Sequence, residues 1–146
     1  MANNTQKVII EPLEIIFPSY YPHGVPPREA QDAEGTFFRI AKSSPPTIYC
    51  FKSMYESNPK RLKKFNGLNL KCCYGISVFT DEISLVNAFE KFPQGTEDSY
   101  IAKGVVDRTD GKMLKTGNPD STHYTLWLGE DTKIHKKFSC IRGLVK

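Results

Sequence analysis

The chain has 146 residues, 39% of them hydrophobic and 25% charged, and a formal net charge of +4 at neutral pH. That is the length of one ordinary domain with a single core, and no apolar run approaches the roughly 20 residues that a membrane span needs. The charge falls short of what a dedicated nucleic-acid binder carries, so nucleic acid ranks below a small molecule or a protein as a partner.

The opening stretch MANNTQKVIIEPLEIIF lacks the charged head and long apolar core of a secretory signal, which predicts a cytoplasmic protein. Cysteine usage fits that compartment. Cys72 and Cys73 are adjacent, Cys50 and Cys140 stand alone, and neither a zinc spacing nor a disulfide framework exists. Four buried or half-buried thiols are expected, and no metal site.

In chain order, Lys7–Ile10 and Leu13–Phe17 are short strand candidates on either side of Pro12. The next stretch, PSYYPHGVPPREAQDAEG, is rich in proline, glycine and polar residues. It makes residues 1–34 an N-terminal arm, anchored by Tyr20 and Tyr21, ahead of a single domain over 35–146. TFFRIA then reads as a strand, with Phe37, Arg39 and Ala41 on one face and Phe38 and Ile40 on the other. From Thr47, a good N-cap residue, a helix is predicted up to Pro59, with one more turn before Gly67.

CCYGISVFT is a second strand, with Ile76 and Val78 facing opposite to Ser77 and Phe79. Asp81 caps a helix over EISLVNAFEKF whose apolar face is Ile83, Leu85, Val86 and Phe89. SYIAKGVVD is a third strand, followed by a hairpin-type turn through Asp110-Gly111. HYTLWL alternates Tyr124, Leu126 and Leu128 against His123, Thr125 and Trp127, and KFSCIRGLV closes the chain as a strand. Short connections after the second helix imply antiparallel pairing. The fold class is therefore α+β, a mainly antiparallel sheet with about two helices packed on it.

Three places carry polar chemistry in apolar surroundings. Arg39 on its strand is a rigid fork suited to a phosphate or carboxylate, the bland alternative being an arginine at a sheet edge. Ser77 lies on the wetter face of its strand, beside Gly75, which permits close backbone approach. His123, Thr125 and Trp127 share one strand face, joining a titratable ring, a hydroxyl and the single tryptophan. Tyr74 is a further ring able to stack a planar group. There is no G-x-G-x-x-G, no P-loop and no G-x-S-x-G elbow. Two basic clusters, Lys60–Lys64 and Lys133–Lys137, read as solvated faces or a weak anionic site.

The succession FFRI, PPT, YGISVF, YIAKGVVD and HYTLW resembles a family of small bacterial proteins of unknown function, over roughly Gly35 to Ile141. A second resemblance is to the ADP-ribosyltransferase-like fold, including the RES-type toxins that consume NAD. It implies an arginine on the first strand against the dinucleotide phosphates, matched by Arg39. It also implies a serine on a core strand followed by a helix, matched by Ser77. The glutamate this fold carries on a later strand is missing: HYTLW offers His123 and Thr125, and Glu130 lies beyond it. The leading expectation is a domain for a nucleotide- or NAD-like anion, with His123 as candidate acid or base and Arg39, Tyr74, Ser77, His123, Thr125 and Trp127 around the ligand. An accessory or antitoxin-like module that meets a protein partner through the Tyr20 and Tyr21 arm is the alternative.

Overall fold

The structure, a computed structural model, describes residues 14–91 and 99–144. The fold is α+β. Among the described residues, seven strands form one antiparallel sheet: β1 (Gln31–Asp32), β2 (Gly35–Ala41), β3 (Ile76–Phe79), β4 (Ser99–Val106), β5 (Gly111–Lys115), β6 (His123–Leu128) and β7 (Phe138–Leu144), in the spatial order β1-β5-β6-β3-β2-β4-β7. Helical structure is more divided than the sequence suggests. It comprises α1 (Met54–Ser57), α2 (Gly67–Cys72), α3 (Glu82–Lys91) and 3-10 turns at Ile48–Phe51, Pro59–Lys64 and Ile134–Lys137.

The sheet curls back on itself. β1 pairs with β5 at one end of the order, while β2, only two residues further along, pairs with β4 near the other end. Ala33, between them, donates its amide to Gly111 O at 3.0 Å. The two ends of the sheet must therefore meet, and the enclosed face holds the larger core of Phe37, Ala41, Phe51, Ile76, Val78, Ala102, Leu126 and Phe138. The outer face is covered by α3, whose Leu85 and Phe89 pack with Ile101 and Leu144 against Phe38, Ile40 and Phe79.

Several expectations need correction. Residues 14–17 form no strand, and Lys7–Ile10 lie outside the described residues. The helix from Thr47 breaks after one 3-10 turn, and Thr47 makes no side-chain cap bond. Ser53 is the working N-cap: its Oγ accepts from Glu56 N, and the Glu56 carboxylate accepts from Ser53 N, the reciprocal pair of a capping box. The CCYGISVFT strand starts only at Ile76, because Cys72 ends α2. Ile83 is 75% exposed, so the buried stripe of α3 is Leu85 and Phe89 flanked by Val86. The Asp110-Gly111 turn does not make a hairpin, since β4 pairs with β2 and β7 and β5 with β1 and β6. The chain instead crosses from one end of the curled sheet to the other at that turn. Gly111 permits this crossing. Its φ is +152°, and a Cβ there would lie 2.0 Å from Trp127 O. The arm is also part of the domain from Gln31 on, because β1 completes the sheet and Ala33 is in the core.

Asp81 caps α3 as expected, accepting from Ser84 N at 2.7 Å. Trp127 is fully buried, and its indole Nε1 donates to Lys71 O at 2.9 Å. That bond satisfies a carbonyl in the last turn of α2, so one side chain fixes α2 on the outside of β6. Trp127→Ala is expected to cost about 3–5 kcal/mol, and Ser53→Ala about 1 kcal/mol. Urea unfolding with an unchanged m-value checks both magnitudes and their order.

Candidate functional site

The site begins with an interrupted ladder. β2 pairs with β4 over seven residue pairs but with β3 at Phe38↔Phe79 alone. Past that bridge the two strands separate, and Arg39 occupies the opening. Its Nη1 donates to Ser77 O at 2.6 Å and its Nε to Cys50 O at 3.0 Å. The guanidinium carbon stands 5.7 Å from the centre of the Phe51 ring. Arg39 thus replaces a missing strand amide as donor to β3 while holding the 3-10 turn at Ile48–Phe51.

No carboxylate pairs with Arg39 among the described residues. Two neutral carbonyls satisfy hydrogen bonds but leave the charge uncompensated. Burial pulls its pKa down, to about 10, and the nearby Cys50 thiol works in the opposite direction. The group stays charged at neutral pH.

Arg39 lines a cleft of about 280 Å³ together with Lys52, Asn69, Cys72, Gly75, Ser77, His123 and Thr125. Met54, Phe65 and Cys73 also line it, and no aspartate or glutamate among the described residues contributes. Gly75 is required by close packing here: a Cβ would lie 2.6 Å from both Leu126 O and Thr125 Cγ2. Cation and hydroxyl groups therefore meet in one concavity that also holds an imidazole and two thiols, and burial pushes both thiols up.

His123 is positioned through β5's exit. Its Nδ1 lies 2.9 Å from Thr116 Oγ1 and 3.3 Å from Thr116 O. The carbonyl only accepts and the hydroxyl either donates or accepts, so Thr116 holds Nδ1 in either tautomer of the neutral ring. Thr116 Oγ1 also lies 2.8 Å from Thr125 Oγ1, which makes the buried Thr125 a support for the imidazole. Burial lowers the His123 pKa below the ordinary 6.5, the Thr116 carbonyl raises it, and Arg39 lowers it further. The Phe79 ring meets the imidazole edge-on at 5.2 Å.

Four of the six residues singled out in the sequence, Arg39, Ser77, His123 and Thr125, line this cleft. The other two do not. Trp127 is a core side chain bonded to α2. Tyr74 lines a second cleft of about 210 Å³ with Tyr20, Tyr21, Phe51, Lys52 and Glu56. There Tyr20 stacks on Tyr55 at 4.6 Å, Tyr55 on Tyr74 at 5.0 Å, and Tyr21 meets Tyr74 edge-on at 5.9 Å. Burial and the neighbouring Glu56 push the Tyr20 phenol up to about 12, and burial raises Tyr21 as well. Tyr21 and Tyr74 are half-buried in these contacts, and Tyr20 stays exposed.

Lys52, Asn69 and Thr116 carry no sequence signal, because each reaches its place through helix and strand boundaries that only the folded chain defines. The Lys60–Lys64 cluster is exposed on its 3-10 turn. In the second basic cluster, Lys137 is engaged by Asp107 at 3.2 Å and by Asp110 at 2.7 Å. No described helix is long and apolar enough to cross a membrane, and no group of metal-ligating side chains occurs among the described residues. No family model, curated protein or solved structure matches the chain.

The lowered pKa of His123 has a consequence for stability. Below the unfolded value of 6.5, the unfolded chain binds the proton that the folded chain refuses. The contribution is complete above that pH and is lost as pH falls toward the folded pKa. His123→Gln is expected to flatten this part of the profile, measured as the urea midpoint between about pH 8 and pH 5.

Proposed function

We propose that this domain binds a small anionic ligand of nucleotide type in the Arg39 cleft. The observation that carries the reading is a half-buried guanidinium, held by two main-chain carbonyls and given no carboxylate among the described residues, in the wall of a cleft to which no described acidic side chain contributes. A phosphate or carboxylate supplies the missing countercharge through a charge-assisted hydrogen bond, and takes it in a fixed geometry. Lys52 adds a second cation at the rim, where its pairing with Glu56 is open to solvent. His123 Nε2 accepts from, or when protonated donates to, a polar group of the same ligand, while Thr116 and Thr125 orient the ring.

Size limits the ligand. At about 280 Å³ the cleft is at the low end of the roughly 300–1,000 Å³ of small-molecule sites. A mononucleotide or a sugar phosphate suits it. An NAD-sized dinucleotide would extend past Lys52, which also lines the tyrosine cleft. An ADP-ribosyl-type architecture is consistent with Arg39 on the first long strand and with Ser77 on a strand leading into α3. Transfer chemistry is not favoured, because β6 brings His123 and Thr125 to the cleft and no carboxylate. The reading is therefore a binding domain.

A thermal-shift titration tests it with inorganic phosphate, AMP, ADP-ribose and NAD. A ligand at about a hundredfold its Kd stabilises the native state by about 2.7 kcal/mol and raises Tm by several degrees. The shift should appear for a phosphate-bearing ligand, shrink with rising salt, and vanish in Arg39→Lys. Lysine keeps the charge but cannot reach both carbonyls and still present a fork. An unchanged Tm with all four ligands, or an undiminished shift in Arg39→Lys, refutes the reading.

A further inference from the structure

Two of the four thiols converge on one residue from opposite ends of the chain. Cys50, on the 3-10 turn at Ile48–Phe51, places its Sγ 3.4 Å from Ser43 Oγ and 4.0 Å from Thr47 Oγ1. Cys140, on β7, donates its thiol to Ser43 O at 3.3 Å. The sheet register reinforces the meeting. Arg39 pairs with Ala102, and Ala102 pairs with Cys140, so the three form one row across β2, β4 and β7. Arg39 at the head of that row holds the Cys50 carbonyl. Both thiols are half-buried and pack against the larger core, so each keeps access to a small solute.

We propose that Cys50 is a peroxide-reactive thiol and that Cys140 resolves its oxidised form into an intramolecular Cys50–Cys140 disulfide.

The surroundings of Cys50 favour its thiolate. The hydroxyl of Ser43 and main-chain donors at Thr47, Lys42 and Ser43 surround the sulfur. Burial alone pushes the thiol up, and these donors outweigh it, holding its pKa at about 7. The Arg39 guanidinium from β2 is a nearby cation that favours the anion, whereas the Lys42 ammonium is turned to Ser99 Oγ at 3.1 Å and only its main-chain amide serves the sulfur. Cys72 and Cys73 are the contrast within the same molecule, since burial pushes both of them up. Adjacent in sequence, they report what an unactivated thiol does under the same conditions.

The chemistry needs only a hydroperoxide as oxidant. The Cys50 thiolate attacks one peroxide oxygen, the O–O bond breaks, and the released hydroxide takes a proton to become water. Cys50 is then a sulfenic acid. The Cys140 sulfur attacks the Cys50 sulfur, the S–S bond forms, and the S–O bond breaks. The hydroxyl leaves with the Cys140 proton as a second water. Overall two thiols are oxidised to one disulfide, and one peroxide is reduced to two waters.

The test is peptide mapping of the intact protein after brief exposure to a small molar excess of hydrogen peroxide. Trypsin should release Ser43–Lys52 joined to Phe138–Arg142, from protein that runs as a monomer on a non-reducing gel, and dithiothreitol should separate the two peptides. In Cys140→Ser, a cyclic diketone that traps sulfenic acids should label Cys50. In Cys50→Ser, Cys140 should stay reduced at the same dose. The wild-type map needs no variant to fold, and it needs no ligand, so its failure leaves the anion-binding reading standing. Oxidation of Cys72 or Cys73 ahead of Cys50, a disulfide found only between two copies of the chain, or a Cys50 that stays reduced overturns the proposal.

Discussion

The interruption between β2 and β3 is the constraint on which the rest of the site depends. β2 is zipped to β4 along its whole length and touches β3 at a single pair. An open ladder leaves a strand carbonyl without its amide partner. Arg39 supplies the donor at the exposed Ser77 O and at the part-buried Cys50 O. One side chain thereby joins β2, β3 and the turn at Ile48–Phe51. Its hydrogen bonds are largely met by the protein, but its charge is not. This separation of the two requirements is why a residue with a structural task also polarises the cleft beside it.

The rest of the cleft is assembled by close contacts that tolerate little change. Trp127 fixes α2 to the outside of β6 and so sets where Asn69, Cys72 and Cys73 stand. Gly75 lets the chain turn out of α2 directly against the β6 backbone, with no room for a side chain. Thr116 and Thr125 hold the imidazole from behind. The wall residues thus come from β2, α1, α2, β3 and β6 and from the Lys52 and Phe65 positions between them. The tyrosine ladder of Tyr20, Tyr55 and Tyr74 plays the same part on the neighbouring cleft, pinning the arm through ring stacking.

Much of the strand content was legible from alternation. Phe37 and Ala41 against Phe38 and Ile40, Ile76 and Val78 against Ser77, and Leu126 against Thr125 all sort onto the two faces as period-2 patterning requires. The cap at Asp81 was readable for the same local reason. Helix boundaries between Thr47 and Cys73 were not. Thr47 and Ser53 are both sound N-cap residues, and the choice fell to Ser53 because Glu56 three positions on completes a reciprocal pair. Ile83 showed the limit of periodicity: it fits the apolar stripe of α3 yet faces solvent, because only the Leu85 and Phe89 side has sheet beneath it.

By itself the sequence determined the class of fold, the two faces of the main strands, and a short set of polar side chains set among apolar ones. These follow from local steric preference and from the pattern of burial, which neighbouring residues already encode. Pairing partners, and therefore the site, were decided only by the tertiary structure. Asp110-Gly111 looks like a hairpin turn and is a crossing between sheet ends. Trp127 looks like a ligand platform and is a strut for α2. Cys50 and Cys140, 90 positions apart, meet at Ser43 because β2, β4 and β7 lie side by side. The physical reason is the same in each case. Which distant segments share a hydrogen-bond ladder depends on how the whole chain closes around its core, and no short stretch of residues carries that information.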